Sequence, residues 1–374
     1  MKNNILSVGD RCIQCHACEN VCPKQAIHFI ENNKGFITPT ISSECIDCGL
    51  CFSKCPVLNE IPEKKPISSW HGYSKKDSIR NSSSSGGLFY HIANYLKKQD
   101  WLVIAVVFDS AEKKCKYVTS NDFDIASMQK SKYCESDFSA VIPAIKKAIA
   151  EGRSVFACGT PCHIYSIKAI FGDYEKLFLI DFLCHGVPSQ KIMEENLHLY
   201  EKKYKSRITN IDFRFKGSKY DSLTMKLDFA NGKTCIIHYD DDRFYYAFQK
   251  NWILRDSCYN CSFSNSHLSD ITIGDFWQSE KYGINADHKK GHSLIYANTQ
   301  KGEELLKIVT TEFLIQKTKS LIPYPRPSKK PSDINKQTLF FEYYTMYGFK
   351  KSSDKLFFSK IHFKNTIKKL LCKK

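Results

Sequence analysis

Residues 12–23 read CIQCHACENVCP and residues 45–56 read CIDCGLCFSKCP, two runs in which cysteines recur as Cys-x2-Cys-x2-Cys-x3-Cys-Pro. Three thiolates this close together wrap one face of a 4Fe-4S cube, and the fourth, held just before proline, ligates the other cluster of a pair. Cluster one then takes Cys12, Cys15, Cys18 and Cys55, while cluster two takes Cys45, Cys48, Cys51 and Cys22. The offset from Cys12 to Cys45 equals that from Cys22 to Cys55, so the runs repeat in register.

Disulfides are the alternative for eight cysteines in a small secreted module, and zinc for paired ones. Neither suits these runs. Residues 1–10, MKNNILSVGD, lack the charged, apolar and cleavage regions of an export signal, which argues for a reducing, cytoplasmic setting. Zinc sites lack the close triple spacing followed by proline. Each run resembles half of a bacterial-type ferredoxin, with helical turns over 19–24 and 50–54 and apolar residues such as Ala26, Ile27 and Phe29 behind the first.

The 374 residues, 42% of them hydrophobic, have room for two or three domains with ordinary cores. The strongest apolar runs, 101–108 (WLVIAVVF) and 177–184 (LFLIDFLC), have the length of buried strands and fall far short of a membrane span. The formal charge is +16, which three oxidised clusters at about −2 each would bring to roughly +10. Much of it is concentrated in residues 313–374, where fifteen Lys or Arg face three acids. A basic surface suits nucleic acid, an anionic surface or an acidic protein. Here it lies in the tail and not in the redox module, so nucleic acid is the weakest of these.

Residues 1–60 form the ferredoxin-like domain and 61–69, rich in Pro, Ser and charge, read as a linker. From Trp70 strands alternate with helices: a helix over 88–98, strands over 101–108, 154–157 and 177–183, and helices over 140–151 and 164–170. The expected core is α/β, mixed or shading into α+β, with parts at 70–150 and 151–322. Alternating strands follow over 208–239, with Asn231-Gly232 as a hairpin turn. Two cysteine-bearing loops, 158–163 (CGTPCH) and 184–189 (CHGVPS), sit at strand ends, where α/β sheets hold ligands. Residues 323–374 read as a basic, aromatic tail broken by prolines.

Ser85-Gly86-Gly87, Ser131-Lys132-Tyr133, Gly159-Thr160-Pro161-Cys162, Cys184-His185-Gly186-Val187-Pro188-Ser189 and Arg255-Asp256-Ser257-Cys258-x2-Cys261 together resemble the coenzyme F420 hydrogenase/dehydrogenase beta subunit family over roughly 70–320. With the dicluster module in front, the layout is similar to the F420H2-oxidising subunit of archaeal respiratory complexes and to bacterial relatives of unknown substrate. The resemblance implies FAD beside a third 4Fe-4S cluster held by Cys162, Cys184, Cys258 and Cys261. The family also includes a plant chlorophyll-cycle reductase, so the resemblance leaves the substrate open. Singly these residues have plainer readings: half a zinc site for Cys258-x2-Cys261, buried thiols for Cys162 and Cys184. Cys158 is a substitute ligand, and Cys115, Cys134, Cys235 and Cys372 read as structural.

For FAD the resemblance points to Ser85, Gly86 and Gly87 as a phosphate cradle before a helix. Ser131, Lys132 and Tyr133 would offer a hydroxyl, a charge and a stacking face, and Gly159 and Thr160 room for the ring. By itself a Ser-Gly run is more often a turn and helix cap. No G-x-G-x-x-G follows a strand, so an NAD site lacks its signature. His163 and His185 are acid-base candidates, with a hydrogen bond to cluster sulfur or backbone as the plainer role. Relatives commonly carry Gln at the position of His163.

The leading expectation is an FAD and iron-sulfur oxidoreductase working with an electron carrier such as ferredoxin or an F420-like deazaflavin, and with partner subunits. The alternatives are a nonenzymatic electron-transfer subunit, a ferredoxin-dependent reductase of a sugar or polysaccharide-pathway substrate, and a basic zinc protein. A helix over 355–374 would place Lys360, Lys364 and Lys368 on one face and Phe363, Ile367, Leu370 and Leu371 on another, suited to peripheral membrane contact, a partner, or simple packing.

Overall fold

The computed structural model describes residues 4–60, 62, 64–217, 223–325 and 331–361. In the N-terminal module α1 (Ala17–Val21) and α2 (Leu50–Ser53) each follow a cysteine loop, and β1 (Ile27–Glu31) pairs antiparallel with β2 (Ile37–Ile41). The next elements are β3 (Ser68–Ser74), α3 (Asp77–Asn81), α4 (Leu88–Lys97), β4 (Leu102–Asp109), β5 (Lys114–Thr119), β6 (Ser136–Asp137), α5 (Val141–Ala150), β7 (Val155–Gly159), α6 (Pro161–Phe171), β8 (Leu177–Phe182) and α7 (Gln190–Tyr204). A separate sheet follows, β9 (Ile208–Asp212), β10 (Thr224–Phe229) and β11 (Thr234–His238), its β10–β11 turn made by Asn231-Gly232 with Gly232 at φ +78°. The chain then adds α8 (Arg243–Gln249), α9 (Asp256–Tyr259), β12 (Ile271–Asp275), β13 (Ser293–Ala297), α10 (Gln300–Ile308), β14 (Phe313–Lys317) and α11 (Ile334–Ser353).

Nine strands form one sheet in the order β14-β3-β13-β12-β8-β7-β4-β5-β6. Its centre, β12-β8-β7-β4, is parallel, which explains the near-continuous apolar runs of β4 and β8. Side chains still alternate. Leu102 and Ile104 pack with α5 and α6, whereas Val103, Ala105 and Val107 pack with α4 and α10 on the other face. Because β4 pairs with β7, residues 70–150 and 151–322 share this sheet. The architecture is mixed α/β behind a ferredoxin-type module.

The N-terminal module is seated on the helical face, with Ile13, Cys15 and Ala17 inside the core built by α5 and α6. Lys146 donates to Asn20 O at 2.7 Å, and Lys191 pairs with Glu31 at 2.9 Å.

Two boundaries differ from the sequence reading. Ser68 and Ser69 belong to β3, not to the linker. Their hydroxyls are buried but bonded: Ser68 donates to Glu303 Oε1 at 2.8 Å, and Ser69 Oγ accepts from Ile322 N at 2.9 Å. Composition marks such serines as polar without showing partners more than two hundred residues away.

The second difference is the tail. The segment 334–358 packs Phe340, Phe341, Phe349, Phe357 and Phe358 against α7, α8 and the three-stranded sheet. Its Gln337 also donates to Leu254 O and Asp256 Oδ1, at 2.9 and 2.6 Å. Residues 362–374, including Phe363, Lys364, Ile367, Lys368, Leu370, Leu371 and Cys372, lie outside the described residues. Among the described residues no helix is long and apolar enough to cross a membrane.

Asp242 fastens this second core. It is 1% exposed, caps α8 by accepting from Tyr245 N at 2.6 Å, and accepts from Asn196 Nδ2 and Tyr200 OH at 2.8 and 3.0 Å. Asp242→Ala is expected to lower the unfolding free energy by about 2–4 kcal/mol in a denaturant titration, because a cap is lost and buried donors are orphaned.

Candidate functional site

The two cysteine loops have one backbone shape. Gln14 and Asp47 occupy equivalent positions at φ +58° and +52°, as do His16 and Gly49 at +54° and +74°. Left-handed residues alternating with right-handed ones turn successive N–H groups inward, an arrangement that suits anionic sulfur. Gln14 N and Asp47 N accordingly donate to Cys12 and Cys45 Sγ, both at 3.4 Å.

Cys22 of the first run shares a small cavity with Cys45, Cys48 and Cys51 of the second. Cys55 of the second run acts on the first instead. After burial, which is the main cause, the charges of Cys55 and of neighbouring first-run thiols help push Cys12, Cys15 and Cys18 upward, Cys12 to about 11. Thiols this reluctant to ionise need cationic partners, which cluster irons supply. Cys15 and Cys18 are buried and Cys48 is exposed.

The sheet brings the later cysteines together. Cys162 lies in the first turn of α6 after β7, Cys184 follows β8, and Cys258 lies in α9. Thr160 Oγ1 is 3.3 Å from Cys162 Sγ. Burial first, then the charges of Cys162, Cys158 and Cys184, raise the Tyr117 phenol. Cys261 packs against the same core cluster as Cys162.

Arg255 is the hub. It is 4% exposed, and its NH1 donates to Ile13 O at 2.8 Å and Gln14 Oε1 at 3.2 Å, inside the first N-terminal cysteine loop. Its NH2 donates to Cys162 Sγ at 3.7 Å and its Nε to Ser257 Oγ at 2.9 Å. Burial opposes its charge, but Cys258, Cys162, Glu135 and Cys12 hold it firmly protonated.

Against this sits a cavity of about 560 Å³ at the carboxyl ends of β7, β8 and β12, within the usual range for a small-molecule site. Ser85, Gly87, Ser131, Lys132, Tyr133, Thr160, Cys184, His163 and His185 all line it. Gly86 and Gly159 stand behind the wall. A Cβ on Gly86 would meet Gly72 O at 2.4 Å, and one on Gly159 would meet Tyr117 OH at 2.4 Å, so both glycines serve packing. Gly87, at φ +97°, makes the turn into α4.

The lining is cationic. Burial pushes Lys132 down to about 8, and it donates to Gln129 O and Ser127 O. Arg214 pairs with Asp275 at 2.8 Å, donates to Tyr133 OH at 2.9 Å and stacks 5.5 Å from the half-exposed Trp277. His163 is enclosed: Nδ1 lies 3.1 Å from Tyr117 OH and Nε2 3.3 Å from Ile13 O. Burial, reinforced by Arg255, pushes its imidazole down to about 3, which fits the bracing role and not the acid-base one. His185 Nε2 is 3.2 Å from Phe248 O.

Residues 152–320 match the C terminus of the coenzyme F420 hydrogenase/dehydrogenase beta subunit, and residues 8–62 match the 4Fe-4S dicluster domain. The chain belongs to the F420 hydrogenase/dehydrogenase beta subunit family. Its dicluster domain is 34% identical over 76 residues to a ferredoxin of Rickettsia felis, covering 20% of this chain and 65% of that one. Against a ferredoxin of Pyrobaculum islandicum the identity is 35% over 72 residues, covering 18% and 64%. The chain spans less than two thirds of these curated relatives. A chain of the F420-reducing [NiFe] hydrogenase complex from Methanosarcina barkeri superposes with a TM-score of 0.48 at 17% identity, covering 77% of this chain and 96% of that one.

In this beta-subunit relative the sequence reading missed Arg214, Glu135, Phe248 and Trp277 of the cavity wall. Trp277 stands in the strand end Asp275-Phe276-Trp277, which was a usable signal. Arg214 and Phe248 arrive from the sheet and helix inserted between β8 and β12, and no spacing links them to the loops they join.

Proposed function

We propose that this chain is an iron-sulfur flavoprotein oxidoreductase that passes electrons between a two-electron ligand in the cavity and an external one-electron carrier. The observation that carries the reading is the chain of contacts from the cavity wall through Cys162 and Arg255 to Ile13 of the first cysteine loop. In this reading Cys162, Cys184, Cys258 and Cys261 hold a third 4Fe-4S cluster, and FAD occupies the cavity. Bound flavin would supply the exchange between two-electron and one-electron chemistry.

The chain's own residues then have definite tasks. Lys132 and Arg214 attract the anionic part of the ligand, Trp277 offers a stacking face, and Phe248 and Val187 help to exclude water. Cys48, exposed between exposed Ile46 and Leu50, marks where the carrier, a ferredoxin or a similar protein, would meet cluster two.

Anaerobic purification followed by iron, sulfide and flavin analysis tests the reading. About twelve irons and one flavin per chain, with absorbance near 400 nm that bleaches on reduction by a deazaflavin or a reduced ferredoxin, is the expected result. Eight irons without flavin would reduce the protein to a dicluster carrier.

A further inference from the structure

We propose that Glu135 is the acid-base residue of the cavity, giving a proton to the bound ligand on reduction and taking it back on oxidation. This rests on the redox reading above and adds a proton path to it.

Glu135 lies on the cavity wall just before β6. Its N–H donates to Pro188 O at 3.0 Å, which ties it to the loop carrying Cys184. Its Oε1 is buried and has no hydrogen-bond partner among the described residues. A buried carboxylate oxygen without a partner is costly, so such a group keeps its proton or awaits a donor from a ligand.

The surrounding charges favour the first outcome. Arg255 attracts the carboxylate, but its bonds go to Ile13, Gln14, Ser257 and Cys162 and none reaches Glu135. Asp137 on β6 and Glu31 on β1 repel it, and the thiols of Cys12 and Cys134 lie within its field. Burial is the main cause that pushes its carboxyl up to about 8. A general acid works best with a pKa near the working pH. Among the other wall residues His163 is too weak a base to be protonated, and Lys132 spends its donors on Gln129 and Ser127.

The step balances as a hydride equivalent. The oxidised ligand, a conjugated heterocycle of the flavin class, gains two electrons singly from the external carrier through the clusters. Glu135 supplies one proton, is left as a carboxylate facing Arg255, and is reprotonated from water. In the opposite direction the ligand surrenders two electrons and returns the proton to the carboxylate.

The test uses the anaerobic holoprotein with FAD as the probe, beside Glu135→Gln, Glu135→Asp and Lys132→Met. In the ligand-free wild type, infrared spectra should show a carboxylic acid band that titrates near pH 8 and is missing from E135Q. Thermal stability should report the same proton. Between about 4.5 and about 8 the folded chain keeps a proton the unfolded chain releases, so wild-type stability falls as pH rises through that window relative to E135Q.

With FAD bound, flavin reduction by reduced methyl viologen should slow about 10²–10⁴-fold in E135Q and lose its inflection near pH 8, with cluster signals in paramagnetic resonance unchanged. E135D should retain part of the rate, and K132M should keep the inflection. A wild-type rate and pH profile in E135Q, or transfer of the inflection to Lys132, overturns the proposal. Failure to bind FAD overturns the flavoprotein reading instead. The infrared band then still decides, since its absence overturns a neutral Glu135.

Discussion

Replacing Arg255 with methionine is expected to destabilise the protein by about 3–5 kcal/mol and to loosen the dicluster module from the core. The side chain is 4% exposed and bonds to Ile13, Gln14, Ser257 and Cys162. Methionine conserves much of the volume but leaves Ile13 O and Gln14 Oε1 without their donor. It also leaves the buried sulfur at Cys162 without its nearest positive charge. Lysine restores a charge but not the fork, so R255K should recover only part of the loss. Denaturant unfolding and limited proteolysis near residue 60 provide the measurements. A shift under about 1 kcal/mol, within the ordinary range for substitutions of little consequence, would falsify the hub role.

The second large effect concerns the crossed ligation. Cys22→Ser should remove the cluster of Cys45, Cys48 and Cys51 and leave that of Cys12, Cys15 and Cys18, although Cys22 belongs to the latter run. The reason is spatial, because Cys22 lines one cavity with the three second-run thiols. Iron analysis of double variants makes the pairing explicit. C22S/C48S should lose no more iron than either single variant, whereas C12S/C22S should lose two clusters, as non-additivity within one site requires. Loss of two clusters from C22S/C48S would instead assign each run its own cube.

Much of this was legible in the chain. The repeated cysteine spacing dictates two loops with left-handed residues at Gln14, His16, Asp47 and Gly49, a property a local sequence can encode. Strands β4, β7 and β8 were legible as apolar runs, and the loops at 158–163 and 184–189 were legible as strand ends because a helix or turn follows each directly. The flavin-site residues were half right. Ser85, Gly87, Ser131, Lys132, Tyr133 and Thr160 reach the cavity, but Gly86 and Gly159 are small to admit Gly72 O and Tyr117 OH. A glycine needed for a ligand and one needed for a neighbouring strand look alike until the neighbour is known.

The tail was misread for a related reason. Its charge suggested a solvated appendage, yet Phe340, Phe341, Phe349, Phe357 and Phe358 close the core around α7 and α8. Lysines on the outer face dominate the composition, while the aromatics that decide the packing are few and widely spaced.

The sequence by itself determined the ligand chemistry: eight N-terminal thiols in two registered loops, and four later ones at strand ends. Spacing suffices there because each loop is local. Only the tertiary structure decided how these parts connect. Arg255 reaches across more than two hundred residues to Ile13, the β9–β11 insertion brings Arg214 to the cavity, and Glu135 is left buried without a partner. Such contacts depend on strand order and on which face of the sheet receives the N-terminal module, and no local periodicity records either.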